Sequence, residues 1–265
     1  MHVVRGDSAP RGESRKLAGR FTLQTQVGQG GMAVVFRARD EETGQLVAIK
    51  LLHADTTTPY ILEHFLREAE ILATIQHPHV VSYVAHGYGE AGRAFLAMEW
   101  LDGHDLSHRL NHGPLRLREA LHLTTLIATA LQSTHTQGVV HRDLKPSNLF
   151  LPGGEIGRVK ILDFGIARRL LGARRALTQT GVVVGTPEYM APEQVRGERS
   201  VAAAADVFAL GCVLYECLAG EPPFTGEQVV SVLAKILFEA PPDPRKNRPN
   251  LPDPIIRLLH RMLAK

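Results

Sequence analysis

"HRDLKPSN", residues 141–148, gathers an aspartate, a lysine and an asparagine into one short polar stretch directly after the apolar "GVV". Alone it reads as a charged turn between a helix and a strand. Its surroundings give it chemistry. Fifteen residues beyond Asn148 the triplet "DFG" begins at Asp163, and magnesium is held by one or two side-chain oxygens together with phosphate oxygens. Asn148 and Asp163 are therefore candidate metal ligands. Asp143 is a carboxylate able to orient a hydroxyl and accept its proton, and Lys145 a cation able to offset triphosphate charge.

Three features upstream belong with this group. "VGQGGMAVVF", residues 27–36, places Gly28, Gly30 and Gly31 between two strand-like pieces, where backbone N–H groups can approach a phosphate without side-chain obstruction. It is neither a P-loop, which needs GxxxxGK[ST], nor a dinucleotide fingerprint, whose glycines open a helix. "VAIK" ends an apolar strand at Lys50, and a lysine there needs a counter-charge because a lone ammonium is costly to desolvate. Glu68, on the helical stretch "YILEHFLREAEILATIQ", is the natural partner.

Bulk properties narrow the alternatives. The 265 residues suffice for one large domain or two lobes, and 44% hydrophobic with 22% charged residues is a soluble globular composition. A net charge of +3 is too weak for a nucleic-acid binder and suits anionic small ligands. Cys212 and Cys217 lie five apart on one apolar helical segment and face different sides, so no disulfide joins them. The longest apolar stretch, "VFALGCVLYECLAG", is interrupted by Glu216 and is too short to span a bilayer.

Residues 1–20 read as a polar, disordered leader without the apolar core of a secretory signal. From Phe21 to about Trp100 short strands alternate with glycine turns around one helix, a pattern that predicts an antiparallel meander. Helices dominate after that. "LREALHLTTLIATALQSTHTQG" is predicted to bury Leu121, Ile127, Ala130 and Leu131 and to end at Gly138. A short strand pair, "NLFL" and "VKIL", precedes a long polar segment, and three apolar helices follow.

The ordered succession of glycine loop, VAIK, helical glutamate, HRDxxxxN, DFG and "GTPEYMAPEQ" resembles the eukaryotic-like (Hanks-type) protein kinase family, and more narrowly the bacterial serine/threonine protein kinases. The resemblance runs from about Phe21 to Lys265. It implies an α+β, two-lobed fold: a small antiparallel β-lobe with one helix over about 21–98, a hinge at about 99–102, and a larger α-helical lobe over about 103–265. ATP with Mg2+, or Mn2+ in its place, would sit between the lobes and pass its γ-phosphate to serine or threonine hydroxyls of proteins.

By the same resemblance, Gly28 and Gly30 form the phosphate flap, Val27 and Val35 bracket the adenine, and Lys50 paired with Glu68 holds the α- and β-phosphates. Gln29, Gly31, Met32, Ala33, Val34, Ala48 and Phe150 complete the ATP-contacting set. Met98 is the gatekeeper, Glu99 to Leu101 present backbone to adenine, and Asp105 lies near the ribose. Asp143 is the catalytic aspartate, Lys145 the γ-phosphate lysine, and Asn148 and Asp163 the metal ligands. Thr186 is expected to bond the catalytic loop and Asp206 to anchor its backbone. Arg142 implies control by the activation loop, with Thr178 or Thr180 autophosphorylated through self-association and paired with it.

Two departures stand out. Ala33 replaces the third glycine of the loop, and the chain stops at "HRMLAK" where the family continues and supplies an arginine to Glu193, so the domain reads as C-terminally incomplete. The resemblance further implies a cytoplasmic location, with any membrane anchor beyond Lys265. The competing reading is a pseudokinase or scaffold that binds nucleotide or partners without transfer.

Overall fold

A computed structural model describes residues 15–54, 58–163, 186–198 and 201–265. The chain divides into two compact units, Met1–Asp102 and Gly103–Lys265.

In the first unit, strands β1 (Lys16–Leu17), β2 (Phe21–Gln29), β3 (Ala33–Asp40) and β4 (Leu46–Leu52) precede helix α1 (Pro59–Thr74), and β5 (Tyr83–Tyr88) and β6 (Ala94–Glu99) follow it. Among the described residues these six strands form one antiparallel sheet, in the order β1-β2-β3-β4-β6-β5. Alternation along β4 decides what faces where. Val47, Ile49 and Leu51 are buried against Leu23, Val34, Ala38, Phe95 and Ala97. Side chains alternate across a strand, so Ala48 and Lys50 take the other face, and Val35, in register with Lys50, joins them there. Helix α1 starts at Thr58, whose hydroxyl accepts from Ile61 N at 3.2 Å, with Pro59 at its first position.

Sequence reading placed the whole of residues 1–20 in a disordered leader; the structure corrects its end. Lys16–Leu17 pairs with β2, and Leu17 is buried in the sheet's core. Arg20 reaches Asp40 through two bonds, Nε to Oδ1 at 2.9 Å and Nη2 to Oδ2 at 2.7 Å. This fork, joined by Thr43 Oγ1 at 2.9 Å, ties the start of β2 to the end of β3.

The second unit carries β7 (Gly103–Asp105), α2 (Leu106–Leu110), α3 (Leu117–Thr136), β8 (Leu149–Pro152), β9 (Lys160–Ile161), α4 (Pro192–Val195), α5 (Ala204–Ala219), α6 (Val229–Phe238) and α7 (Asp253–Met262). Strands β7, β8 and β9 form a small antiparallel sheet. Gly103 is obligatory there: its φ is +146°, and a Cβ would lie 2.2 Å from Leu151 O. Helix α5 is the core of the unit, apolar on nearly every side and ended by Gly220 in the left-handed conformation. Cys212 and Cys217 are buried on it as free thiols.

Helix α3 packs on α5. Its buried stripe is Ala120, Leu123, Ile127, Ala130, Leu131 and Thr134. The expected Leu121 is only half-buried: six residues before Ile127 it falls off the three-and-four spacing that Leu123 keeps.

Candidate active site

Asp206, fully buried in the first turn of α5, organises the polar stretch at 141–148. Its Oδ2 accepts from His141 N and its Oδ1 from Arg142 N, both at 2.8 Å, and His135 Nε2 adds a 2.7 Å contact from α3. Burial alone would push this carboxyl up, but the bonds from His135, His141 and Arg142 outweigh it and hold Asp206 below the usual carboxylate range. An α5 side chain thereby fixes two consecutive peptide groups immediately before Asp143.

Arg142 sits between two such restraints. Its φ is +65°, an uncommon conformation for a non-glycine residue. Asp206 holds its N–H, and Gln194 Nε2 on α4 donates to its carbonyl at 2.8 Å. Strain of this kind persists where the surroundings over-determine the backbone.

His141 is fully buried, and its tautomer follows from its partners. Nε2 faces Leu162 O at 2.9 Å, which can only accept; Nδ1 faces Asp143 N at 3.2 Å, which can only donate. The ring is therefore neutral with its proton on Nε2. Burial pushes its pKa down, against the pull of Asp206. The sign of the linkage follows: an unfolded histidine takes up a proton near pH 6.5 and the folded one does not, so acidification below about that pH favours unfolding. The urea midpoint should fall between pH 7.5 and 5.5, with a shallower fall in His141→Gln; a midpoint equally steep in both proteins would contradict the assignment.

Asp143, Lys145 and Asn148 meet directly. Lys145 Nζ donates to Asp143 Oδ2 at 3.0 Å, and Asn148 Nδ2 donates to Asp143 O at 2.7 Å and to its Oδ2 at 3.2 Å. Both partners of the asparagine accept only, so its nitrogen must face them and its amide oxygen is left for a hard cation. Burial lowers the pKa of Lys145, while the nearby Asp163 carboxylate raises it. Leu162 N bonds Asn148 O at 2.8 Å, which ties the residue before Asp163 to the same loop. Asp163 itself has φ +45°.

The first unit supplies the other group. Lys50 Nζ lies 3.3 Å from Glu68 Oε1, and Glu68 is buried on α1. The glycine turn joins β2 to β3, closed by Gly30 N donating to Ala33 O at 2.8 Å. A Cβ on Gly31 would meet nothing within 4 Å, and one on Gly30 only Ala33 O at 3.7 Å. Neither packing nor a positive φ within the chain demands glycine at these two positions, so the turn's backbone is open to close approach.

A family model described as "Protein kinase domain" matches residues 21–265. The chain belongs to the protein kinase domain family. It is 42% identical over 252 residues to the DNA damage-responsive serine/threonine-protein kinase RqkA of Deinococcus radiodurans, covering 94% of this chain and 37% of that protein. The crystal structure of the Mycobacterium tuberculosis PknI kinase domain superposes with a TM-score of 0.73 at 26% identity, covering 97% of this chain and 91% of that one. A Rad53 structure in complex with AMP-PNP gives 0.74 at 26% identity, covering 92% and 60%. The chain spans about two fifths of the length of the curated relatives it matches.

Within this kinase domain the remaining expected site residues fall as follows. Val35 and Ala48 share the Lys50 face of the sheet, with Met98 in register with Ala48. Val34 does not: it is buried in the core cluster on the opposite face, because adjacent strand residues alternate. Ala33 is buried, while Gln29 is exposed and Val27 and Met32 are half-buried. Glu99 Oε1 accepts from Ser82 N at 2.7 Å, and Leu101 is half-buried. Asp105 caps α2, accepting from His108 N at 2.8 Å, and is in register with the buried Phe150.

Thr186 departs from expectation, because among the described residues no hydrogen bond joins it to the catalytic loop. Gln194 makes that connection instead. Thr178 and Thr180 lie outside the described residues, and Glu193 forms no ion pair among the described residues. The reading from sequence missed His135 and Gln194, whose partners lie 71 and 52 positions away.

Proposed function

We propose that this kinase domain transfers the γ-phosphoryl group of ATP to serine and threonine hydroxyls of proteins. The carrying observation is the Asp143–Lys145–Asn148 cluster, fixed to Asp206 through backbone bonds. Asp143 orients the incoming hydroxyl and accepts its proton as the new P–O bond forms and the bond to ADP breaks. Lys145 moves from Asp143 to the γ-phosphate, where the charge it offsets is greatest. Lys50, steadied by Glu68, binds the α- and β-phosphates, and the Gly28–Gly31 backbone covers them.

The Asn148 oxygen and the Asp163 carboxylate fit a divalent cation of the Mg2+ or Mn2+ kind, which when bound neutralises phosphate charge. Among the described residues no helix is long and apolar enough to cross a membrane. Regulation through Thr178 or Thr180, phosphorylated by a second copy of the chain and paired with Arg142, extends the same reading.

Incubating the chain with labelled ATP, a divalent cation and casein tests this. Transfer should require the cation and fall by about 10²- to 10³-fold in Lys50→Met, the size of effect for one lost electrostatic contact to the transferring group. Cation-independent transfer, or full activity in Lys50→Met, would overturn the roles assigned to these residues.

A further inference from the structure

Helix α2 carries a feature that phosphoryl transfer does not use. His104, His108 and His112 follow one another at four-residue spacing, from the strand before the helix to the turn after it. Only His108 lies within the helix, yet the three rings follow one another in a row along it. The His104 and His108 ring centroids are 4.7 Å apart and those of His108 and His112 are 5.2 Å apart. His108 and His112 are exposed; His104 is half-buried against Gly154, where an added Cβ would come within 3.1 Å of its ring.

Adjacent imidazoles are poor neighbours when charged and good ones when they share a cation. The ring of His112 is already set for that. Its Nδ1 lies 3.0 Å from His108 O, and a carbonyl only accepts, so Nδ1 carries the proton and Nε2 keeps its lone pair. An N–H donated to a backbone carbonyl is the arrangement that orients a ligating histidine. The rings of His104 and His108 make no hydrogen bond among the described residues.

We infer that the outer face of α2 is a binding site for a borderline transition-metal cation of the Zn2+, Ni2+ or Cu2+ class, chelated by His108 and His112 with His104 as the next imidazole in the row. Imidazole suits these ions and not magnesium, which takes oxygen. Among the described residues no three metal-ligating side chains converge on one point, so two rings bind at a time and water completes the shell. The site is separate in ligand chemistry from Asn148 and Asp163. It adjoins Asp105, the cap of α2, so an ion there pins the helix to the residue expected near the ribose.

Calorimetric titration of the untagged 265-residue chain with NiCl2 and with ZnCl2, in millimolar magnesium, tests the site. One ion should bind in each case. His108→Ala and His112→Ala should each weaken nickel binding at least about tenfold, the loss of one of two chelating rings, whereas His260→Ala on α7 and Asp163→Asn should leave it unchanged. His108 and His112 are both exposed, so neither replacement removes packing from the core, and circular dichroism checks that both chelate variants keep the fold. No nickel or zinc binding, displacement by magnesium, or binding indifferent to His108→Ala and His112→Ala would overturn the inference.

Discussion

Replacing Asp143 by asparagine is expected to lower phosphoryl transfer by about 10²- to 10⁴-fold, the usual contribution of a positioned acid–base group, while ATP affinity stays within about twofold. Asparagine keeps the size of the side chain and one acceptor oxygen for Lys145 and Asn148, but it cannot take the hydroxyl proton. Alanine is the less informative change: it would leave the half-buried Lys145 ammonium without the Oδ2 contact at 3.0 Å and disturb the loop as well as the chemistry. Rapid-quench transfer and equilibrium nucleotide binding separate the two effects. Transfer near the native rate in Asp143→Asn would remove the aspartate from its role. A parallel loss of ATP binding would mean that the residue holds nucleotide rather than hydroxyl.

The second large effect is expected at Asp206. Its two oxygens accept from two backbone N–H groups and from His135, so Asp206→Ala strands two buried peptide donors and an imidazole at once. Breaking a buried charged network by removing one member costs about 3–5 kcal/mol. Asparagine is not a remedy, because its amide nitrogen would confront one of the donors. Urea denaturation should show the loss in the transition midpoint, with transfer reduced even at temperatures where the variant is folded, since the backbone before Asp143 is no longer fixed. A destabilisation below about 1 kcal/mol, the worth of a single ordinary hydrogen bond, would contradict the anchoring role.

What the sequence made legible was whatever local pattern could carry. The apolar strand "VAIK" marked Lys50 as a lysine in need of a counter-charge, and the helical stretch after it offered Glu68; the structure joins them at 3.3 Å. The spacing of Asp143, Lys145 and Asn148 likewise announced a cluster. Readings that needed a partner far along the chain were lost. Leu17 is one apolar residue in a polar stretch, and only its pairing with β2 reveals it as core. Arg20 and Asp40 meet across two strands, and His135 reaches Asp206 from another helix. Alternation also corrects the assignment of Val34, whose place next to Val35 in sequence is a place on the opposite face in the sheet. Leu121 was misplaced by a phase error of two residues, which on a helix is more than half a turn.

The most direct test of the central claim follows the label to its acceptor. The native chain, incubated with γ-labelled ATP, magnesium and casein, then hydrolysed in acid and resolved into phosphoamino acids, should carry label in phosphoserine and phosphothreonine. A chain that is stabilised by ATP and magnesium yet leaves no label on serine or threonine would be a nucleotide-binding scaffold, and would contradict the assignment of Asp143, Lys145 and Lys50 to phosphoryl transfer.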